Sequence, residues 1–130
     1  MPFRRAPSVP RFPLSERVFP VLNHLTADFM GVPAEQLRDS GMLSGLLIAA
    51  AGAAGITTRG APRMQTMPDE HISGWLQLED CHIAVHAFPE RELLLLDVLS
   101  AATHDVSKAM AVFARRLLAR EVRSEQRQRG

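Results

Sequence analysis

Glu79-Asp80-Cys81-His82-Ile83-Ala84-Val85-His86-Ala87-Phe88-Pro89-Glu90 contains the only cysteine of the chain, two of its five histidines and three carboxylates. Ile83, Val85 and Ala87 alternate with His82, Ala84 and His86, a period of two that predicts a strand buried on one face. Both histidines then fall on the other face. Cys81 opens this strand or sits in the turn before it, where its side chain can lie near His86 or a residue of the next strand. An imidazole beside a thiol is one way to make a nucleophile. The same residues also read as a small buried thiol with satisfied edge-strand histidines, since free Cys is among the most buried residue types. Spacing alone leaves both readings open. A metal site is not expected, because His82 and His86 stand about 13 Å apart along a strand rising about 3.3 Å per residue.

Working outward, Ile72 to Leu78 reads as the strand that feeds this motif, after a loop at Pro68-Asp69-Glu70. Glu90 and Arg91 make the turn after it. Leu93 to Leu99 is almost continuously apolar, as expected of a strand buried on both faces or at the centre of a sheet. Val21 to Met30 is apolar and β-branched until Gly31 and Pro33 break it, which predicts a first strand with His24 and Asp28 on one face. Ile56 to Thr66 reads as an irregular strand interrupted by Gly60 and Pro62.

Two helices stand out. Asp39 or Ser40 can cap the first, where Leu43, Leu46, Leu47, Ala50, Ala51 and Ala54 recur at helical spacing before a C-terminal Gly55. Gly41, Gly45 and Gly52 weaken it, which suggests close packing against a sheet. Thr103 or Asp105 can cap the second, with Val106, Met110, Phe113 and Leu117 as its apolar stripe. Glu121 to Gly130 lacks a core pattern and reads as a short edge strand or a frayed tail. Together these elements predict an α+β fold, a two-layer sandwich of mainly antiparallel sheet with two helices on one face. The other sheet face is free to bind a second copy, so a homodimer is expected.

The chain of 130 residues fits one domain. Residues 1–20, with five prolines and four arginines, read as an extended arm, 21–124 as the domain and 125–130 as a tail. Lys plus Arg number 15 against 14 Asp plus Glu, a formal charge of +1, so no field for general nucleic-acid binding is expected. No apolar run is long enough to cross a bilayer, and the N-terminus lacks the apolar core of a signal peptide. With a single thiol, the cytoplasm is the expected location.

Several motifs fall in a known order: His24-Leu25-Thr26-Ala27-Asp28-Phe29-Met30-Gly31, Ala50-Ala51-Gly52-Ala53-Ala54-Gly55, His71-Ile72-Ser73-Gly74, Asp80-Cys81-His82 through Glu90, and Asp97-Val98-Leu99-Ser100-Ala101-Ala102. Across roughly Leu22 to Glu121 the chain resembles the small prokaryotic S-adenosylmethionine decarboxylase proenzymes. The resemblance implies a self-cleaving precursor, in which a hydroxyl directly after the scissile bond attacks the preceding carbonyl, the ester eliminates and a pyruvoyl group remains at the new N-terminus. That position is Cys81 here, after Asp80 in place of Glu. The resemblance further implies Ser73 and His86 as the processing pair, which polarises the scissile carbonyl and takes the elimination proton. It implies Glu90, Phe88 and Met67 as substrate-binding positions, with Met67 where the family stacks a Phe on adenine. The family's proton-donating cysteine corresponds to Ala101, which has no proton to give.

Three functions follow. The first is a decarboxylase-like protein of polyamine-type metabolism that binds S-adenosylmethionine or a related small molecule, its pyruvoyl-dependent reaction altered or lost. The second is an active self-processing decarboxylase with Cys81 as the pyruvoyl precursor, and the third a different enzyme using a Cys81 thiol activated by His86 or His82.

Overall fold

The computed structural model describes residues 21–130, and the arm expected over residues 1–20 lies outside them. Strand β1 (Leu22–Met30) is followed by a one-turn helix α1 (Ala34–Leu37), helix α2 (Ser40–Ala53) and strands β2 (Arg63–Thr66), β3 (Ile72–Gln77) and β4 (His82–Phe88). A 3-10 turn at Pro89–Arg91 leads to β5 (Leu93–Ala101), helix α3 (Val106–Leu117) and β6 (Glu121–Arg129). The six strands form one antiparallel sheet in the order β2-β3-β4-β5-β1-β6. The predicted α+β sandwich is the fold observed.

One face of the sheet is covered. Leu25, Ala27 and Phe29 of β1, Ile83, Val85 and Ala87 of β4, and Leu94, Leu96 and Val98 of β5 point to the helices and are buried. They meet Leu43, Leu47, Ala50 and Ala51 of α2 and Val106, Ala109, Phe113 and Leu117 of α3 in a single core. Phe29 and Phe113 face each other with ring centroids 6.4 Å apart. Met110, expected in the stripe, is only partly buried against this core.

Local chemistry sets the element ends. The Asp39 carboxylate accepts from the Met42 N–H at 2.9 Å and caps α2, satisfying one of the amides a helix start leaves free. At the other end Gly55 takes φ +72°. There Ile56 N–H bonds the Ala51 carbonyl and Gly55 N–H the Gly52 carbonyl, the paired C-terminal closure that a left-handed residue permits. Asp105 caps α3 through Ser107 N–H.

Three expectations need correction. The irregular strand over Ile56 to Thr66 is a strand only from Arg63, because Gly60 and Pro62 interrupt the ladder; Thr58 keeps one isolated bridge to Leu78. By contrast, the Leu93 to Leu99 run lies at the centre of the sheet, between β4 and β1, the second of the two places expected for it: Leu94, Leu96 and Val98 are buried while Leu93, Leu95 and Leu99 are half-buried. Residues 125–130, expected as a tail, begin as the second half of β6, which pairs with β1 along its whole length. All nine β6 residues are exposed, so backbone pairing forms a strand that no apolar period announces. Finally, a Cβ added to Gly45 or Gly52 would meet nothing within 4 Å, so these two glycines do not serve close packing. No helix among the described residues is long and apolar enough to cross a membrane.

Candidate active site

The uncovered face of the sheet carries nearly all the polar chemistry. Register places Ser73 of β3 directly opposite His86 of β4, with both side chains on the open face. Ser73 Oγ lies 3.2 Å from His86 Nδ1. The sequence pattern gave no role to His71, yet its Nε2 stands 3.0 Å from the same His86 nitrogen and 3.5 Å from Ser73 Oγ. The His71 ring also stacks on Phe88, with centroids 4.3 Å apart. Burial and then the neighbouring His71 hold His86 below the ordinary imidazole value, partly offset by Asp97. The neutral ring is therefore favoured, the form that accepts a proton.

Two of the three expected substrate residues, Phe88 and Glu90, cluster beside this trio. Phe88, Glu90, Arg91, His71, Asp69 and Pro89 line a small cleft of about 120 Å³. Arg91 lies over the Phe88 ring at 5.6 Å. Met67 is at the β2–β3 turn, where its N–H bonds the His71 carbonyl at 2.7 Å, but its side chain does not line the cleft. On the other side of Ser73 and His86 an open groove of about 270 Å³ runs past Arg63, Gln65, Trp75 and Ala84.

Cys81 is elsewhere. The Asp80–Cys81 bond occupies the turn that joins β3 to β4, closed by Leu78 N–H to the Cys81 carbonyl at 3.0 Å and by Gln77 Nε2 to the same oxygen at 2.9 Å. His86 is five positions on from Cys81, about 16 Å along a strand. Within one chain the expected contact between thiol and His86 is not made. His82 is not the thiol's partner either: its Nε2 bonds Asp97 at 3.0 Å and its ring stacks on Trp75 at 4.4 Å. Burial and the Asp80 charge push the Cys81 thiol above its ordinary pKa, which opposes an activated thiolate.

Two more networks were not legible from spacing. On the open face Asp97 is shared by His82 and His24, the latter at 3.1 Å from both carboxylate oxygens. Arg129 donates to His24 Nδ1 at 3.3 Å, so His24 offers its Nε2–H to Asp97. At the β3–β4 turn, Asp80 accepts hydrogen bonds from Cys81 N–H at 2.8 Å, Ala101 N–H at 2.7 Å and the Ser100 hydroxyl at 3.3 Å. Burial alone would raise the Asp80 pKa, but the bonds from Ala101, Cys81, its own amide and Ser100 outweigh it and hold the carboxyl below the usual value. Both networks join residues far apart in sequence through register, which no single-strand pattern encodes.

A family model described as S-adenosylmethionine decarboxylase matches residues 23–130. The chain is 30% identical over 83 residues to the arginine decarboxylase proenzyme of Aeropyrum pernix, covering 62% of each chain. It is 31% identical over 74 residues to the S-adenosylmethionine decarboxylase proenzyme of Symbiobacterium thermophilum, covering 57% of this chain and 55% of that one. The matched stretches thus span 62% and 55% of the length of these two relatives. The fold is similar to the crystal structure of the adenosylmethionine decarboxylase from Aquifex aeolicus VF5, with a TM-score of 0.77, 23% identity, and coverage of 87% of this chain and 93% of that one.

Proposed function

The chain belongs to the S-adenosylmethionine decarboxylase family, and from that premise we propose that it is a homodimeric precursor that cuts itself between Asp80 and Cys81. We infer a decarboxylase-like role in polyamine-type metabolism, on S-adenosylmethionine or a related amino acid, with an altered proton-return step.

The observation that carries this reading is the pairing of an intact Ser73–His86 hydrogen bond with a nucleophilic side chain directly after a peptide bond held in a tight turn. Cys81 meets the chemical requirement for the pyruvoyl group, because one β-carbon heteroatom can attack the carbonyl and then leave. When formed, that group supplies the electron sink for loss of carbon dioxide. The hydroxyl of Ser73 polarises the scissile carbonyl, and neutral His86 takes the α-proton that elimination releases. Glu90 accepts hydrogen bonds from substrate hydroxyls, and Phe88 lines the cleft beside it. Ala101 carries no acidic hydrogen, so the step that returns a proton to the product differs from that of relatives with a cysteine there. The single thiol suits a reducing compartment, and the cytoplasm is the location we propose.

A second copy resolves the distance between Cys81 and His86. Trp75, which is 42% exposed, and half-exposed Leu93, Leu95, Leu99 and Phe88 give the open face an apolar surface unusual for a sheet left in water. Stacked sheets lie about 10 Å apart. A two-fold axis running across the strands between two such sheets sets the Cys81 end of one copy against the Ser73–His86 end of the other.

Intact-mass analysis tests the proposal. The expected result is two fragments divided at Asp80–Cys81, the second lighter than an unmodified Cys81 peptide by nearly the mass of hydrogen sulfide. A single unbroken chain removes the self-cleaving reading.

A further inference from the structure

His71 is held where it meets His86. Pairing sets Ser73 against His86 and, one step beyond the Ile72–Ala87 pair, His71 against Phe88. The His71 backbone N–H donates to Asp69 Oδ1 at 3.1 Å, and its carbonyl accepts from Met67 N–H at 2.7 Å. Glu70, directly before it, takes φ +69°, a left-handed conformation that sterics oppose in a residue with a Cβ. On the other side the ring stacks on Phe88 with centroids 4.3 Å apart.

Two neighbours reach one nitrogen of His86: His71 Nε2 stands 3.0 Å and Ser73 Oγ 3.2 Å from Nδ1. Burial and then His71 keep the His86 ring below the ordinary imidazole value, against an opposing pull from Asp97. Above that value the ring is uncharged and carries one proton, on one of its two nitrogens. With the proton on Nε2, Nδ1 has a single lone pair for both neighbours. Ser73 must then spend its one hydroxyl proton on that lone pair or face it with a lone pair of its own. With the proton on Nδ1, it lies between two acceptors, the His71 Nε2 lone pair and the Ser73 oxygen, and the serine proton stays free. Polarising the scissile carbonyl needs that free proton, so the second arrangement is the one compatible with processing. It requires His71 to present Nε2 bare.

We propose that His71 is a positioning residue: by accepting from His86 Nδ1–H it fixes the tautomer that leaves His86 Nε2 as the base for elimination. The proposal rests on the reading of Asp80–Cys81 as a self-cleaving bond. In that step the electron pair of the Cys81 Cα–H bond becomes the Cα–Cβ double bond, and the proton binds His86 Nε2. The Cβ–S pair leaves with sulfur, as the thiocarboxylate at the new Asp80 C-terminus. The imidazolium so formed keeps its Nδ1–H on His71, a charge-assisted bond stronger than the neutral one it replaces. His71 thus stands behind the base as the third group that orients it.

The tautomer is read directly. In Cys81→Ala, which cannot process, long-range proton–nitrogen spectra of protein isotope-labelled in histidine separate protonated from bare ring nitrogens. They are recorded at about pH 8.5, well above the ordinary imidazole value, and the His86 signals are those lost in His86→Ala. The expected form is Nδ1–H, the reverse of the Nε2–H form that free histidine prefers. His71→Gln keeps an acceptor without the ring and is expected to keep this tautomer; His71→Phe keeps the stack on Phe88 without an acceptor and is expected to revert toward Nε2–H. In chains that retain Cys81, His71→Gln should form the two fragments within about threefold of the wild-type rate and His71→Phe about a hundredfold slower, at the low end of general-base catalysis. Packing alone would give the opposite order. Urea midpoints report whether either variant folds poorly, and the tautomer in unsubstituted Cys81→Ala decides even then. A His86 ring protonated on Nε2 there, or a tautomer unchanged by His71→Phe, overturns the part assigned to His71 alone. A wild-type chain that stays whole overturns the self-cleaving reading and, with it, the base role of His86 Nε2.

Discussion

Replacing Gly74 with alanine should destabilise the protein and loosen its candidate active site together. Gly74 pairs with Met64 on β2 and with Val85 on β4. A Cβ there would sit 2.9 Å from Val85 Cγ2, 2.9 Å from Met64 Cε and 3.0 Å from Met64 Sδ. The methionine end can swing away. Val85 cannot, because it is β-branched and fully buried. Overpacking of this kind costs about 1–3 kcal/mol, while exchanging glycine for alanine in a strand recovers about 0.5–1 kcal/mol of backbone entropy. The overpacking term is the larger, so a net loss of about 1–2 kcal/mol is expected, read as a lower urea midpoint with unchanged slope. Because Gly74 follows Ser73 and Val85 precedes His86, spreading the strands also lengthens the 3.2 Å bond between that pair and should slow cleavage. The decisive assay is a double-mutant cycle. Val85→Ala opens the space that Gly74→Ala fills, so the double variant should be more stable than the summed singles by about 1 kcal/mol, within the usual range for touching residues. Strict additivity, or a Gly74→Ala chain as stable as wild type, would refute the packing argument.

Other outcomes follow from individual contacts. Gly45→Ala and Gly52→Ala fill empty space on the exposed side of α2 and should each raise stability by up to about 1 kcal/mol, measured by thermal melting. Asp39→Ala removes the α2 cap and should cost about 1 kcal/mol in the same measurement. The folded-state pKa of Asp80 lies below its unfolded value, so its contribution is complete above the ordinary carboxylate range and disappears as pH falls through the lower folded-state value. The stability gap between wild type and Asp80→Asn should therefore be open at neutral pH and close in strong acid; a gap that widens on acidification contradicts the assignment. Since burial and then Asp80 raise the Cys81 pKa, alkylation of the thiol at neutral pH in the uncleaved His86→Ala chain should be slower than for a free cysteine, and faster when Asp80→Asn is added.

The layers and most elements were legible in the sequence because burial on one face leaves a period. Ile83, Val85 and Ala87 announced β4, and Leu43, Leu46, Leu47 and Ala50 announced α2, since each such row must meet a core. Strand β6 left no such trace: its side chains are all exposed, and its place is fixed by backbone bonds to β1. The one-turn α1 was too short to show a repeat. At the site, the Ser73–His86 pairing was implied by the resemblance and is matched by register. His71 went unread although it lies two residues from Ser73, because its meeting with His86 depends on the β3–β4 pairing. The links from Asp80 to Ser100 and His104 span 20 and 24 positions, closed only when β5 returns beside the turn. The separation of Cys81 from His86 could have been foreseen: five residues of extended chain cannot bring two side chains together.

Two variants expressed together test most directly whether this chain cuts itself with help from a second copy. His86→Ala keeps the thiol, and Cys81→Ala keeps the Ser73–His86 pair; a size tag on one distinguishes them by intact mass. Each alone should stay whole, and in the mixed dimer the His86→Ala chain, but not its companion, should be split between Asp80 and Cys81. If the His86→Ala chain stays whole in that mixture while wild type cleaves, the site is not shared between copies; if wild type stays whole as well, the bond is not self-cleaving.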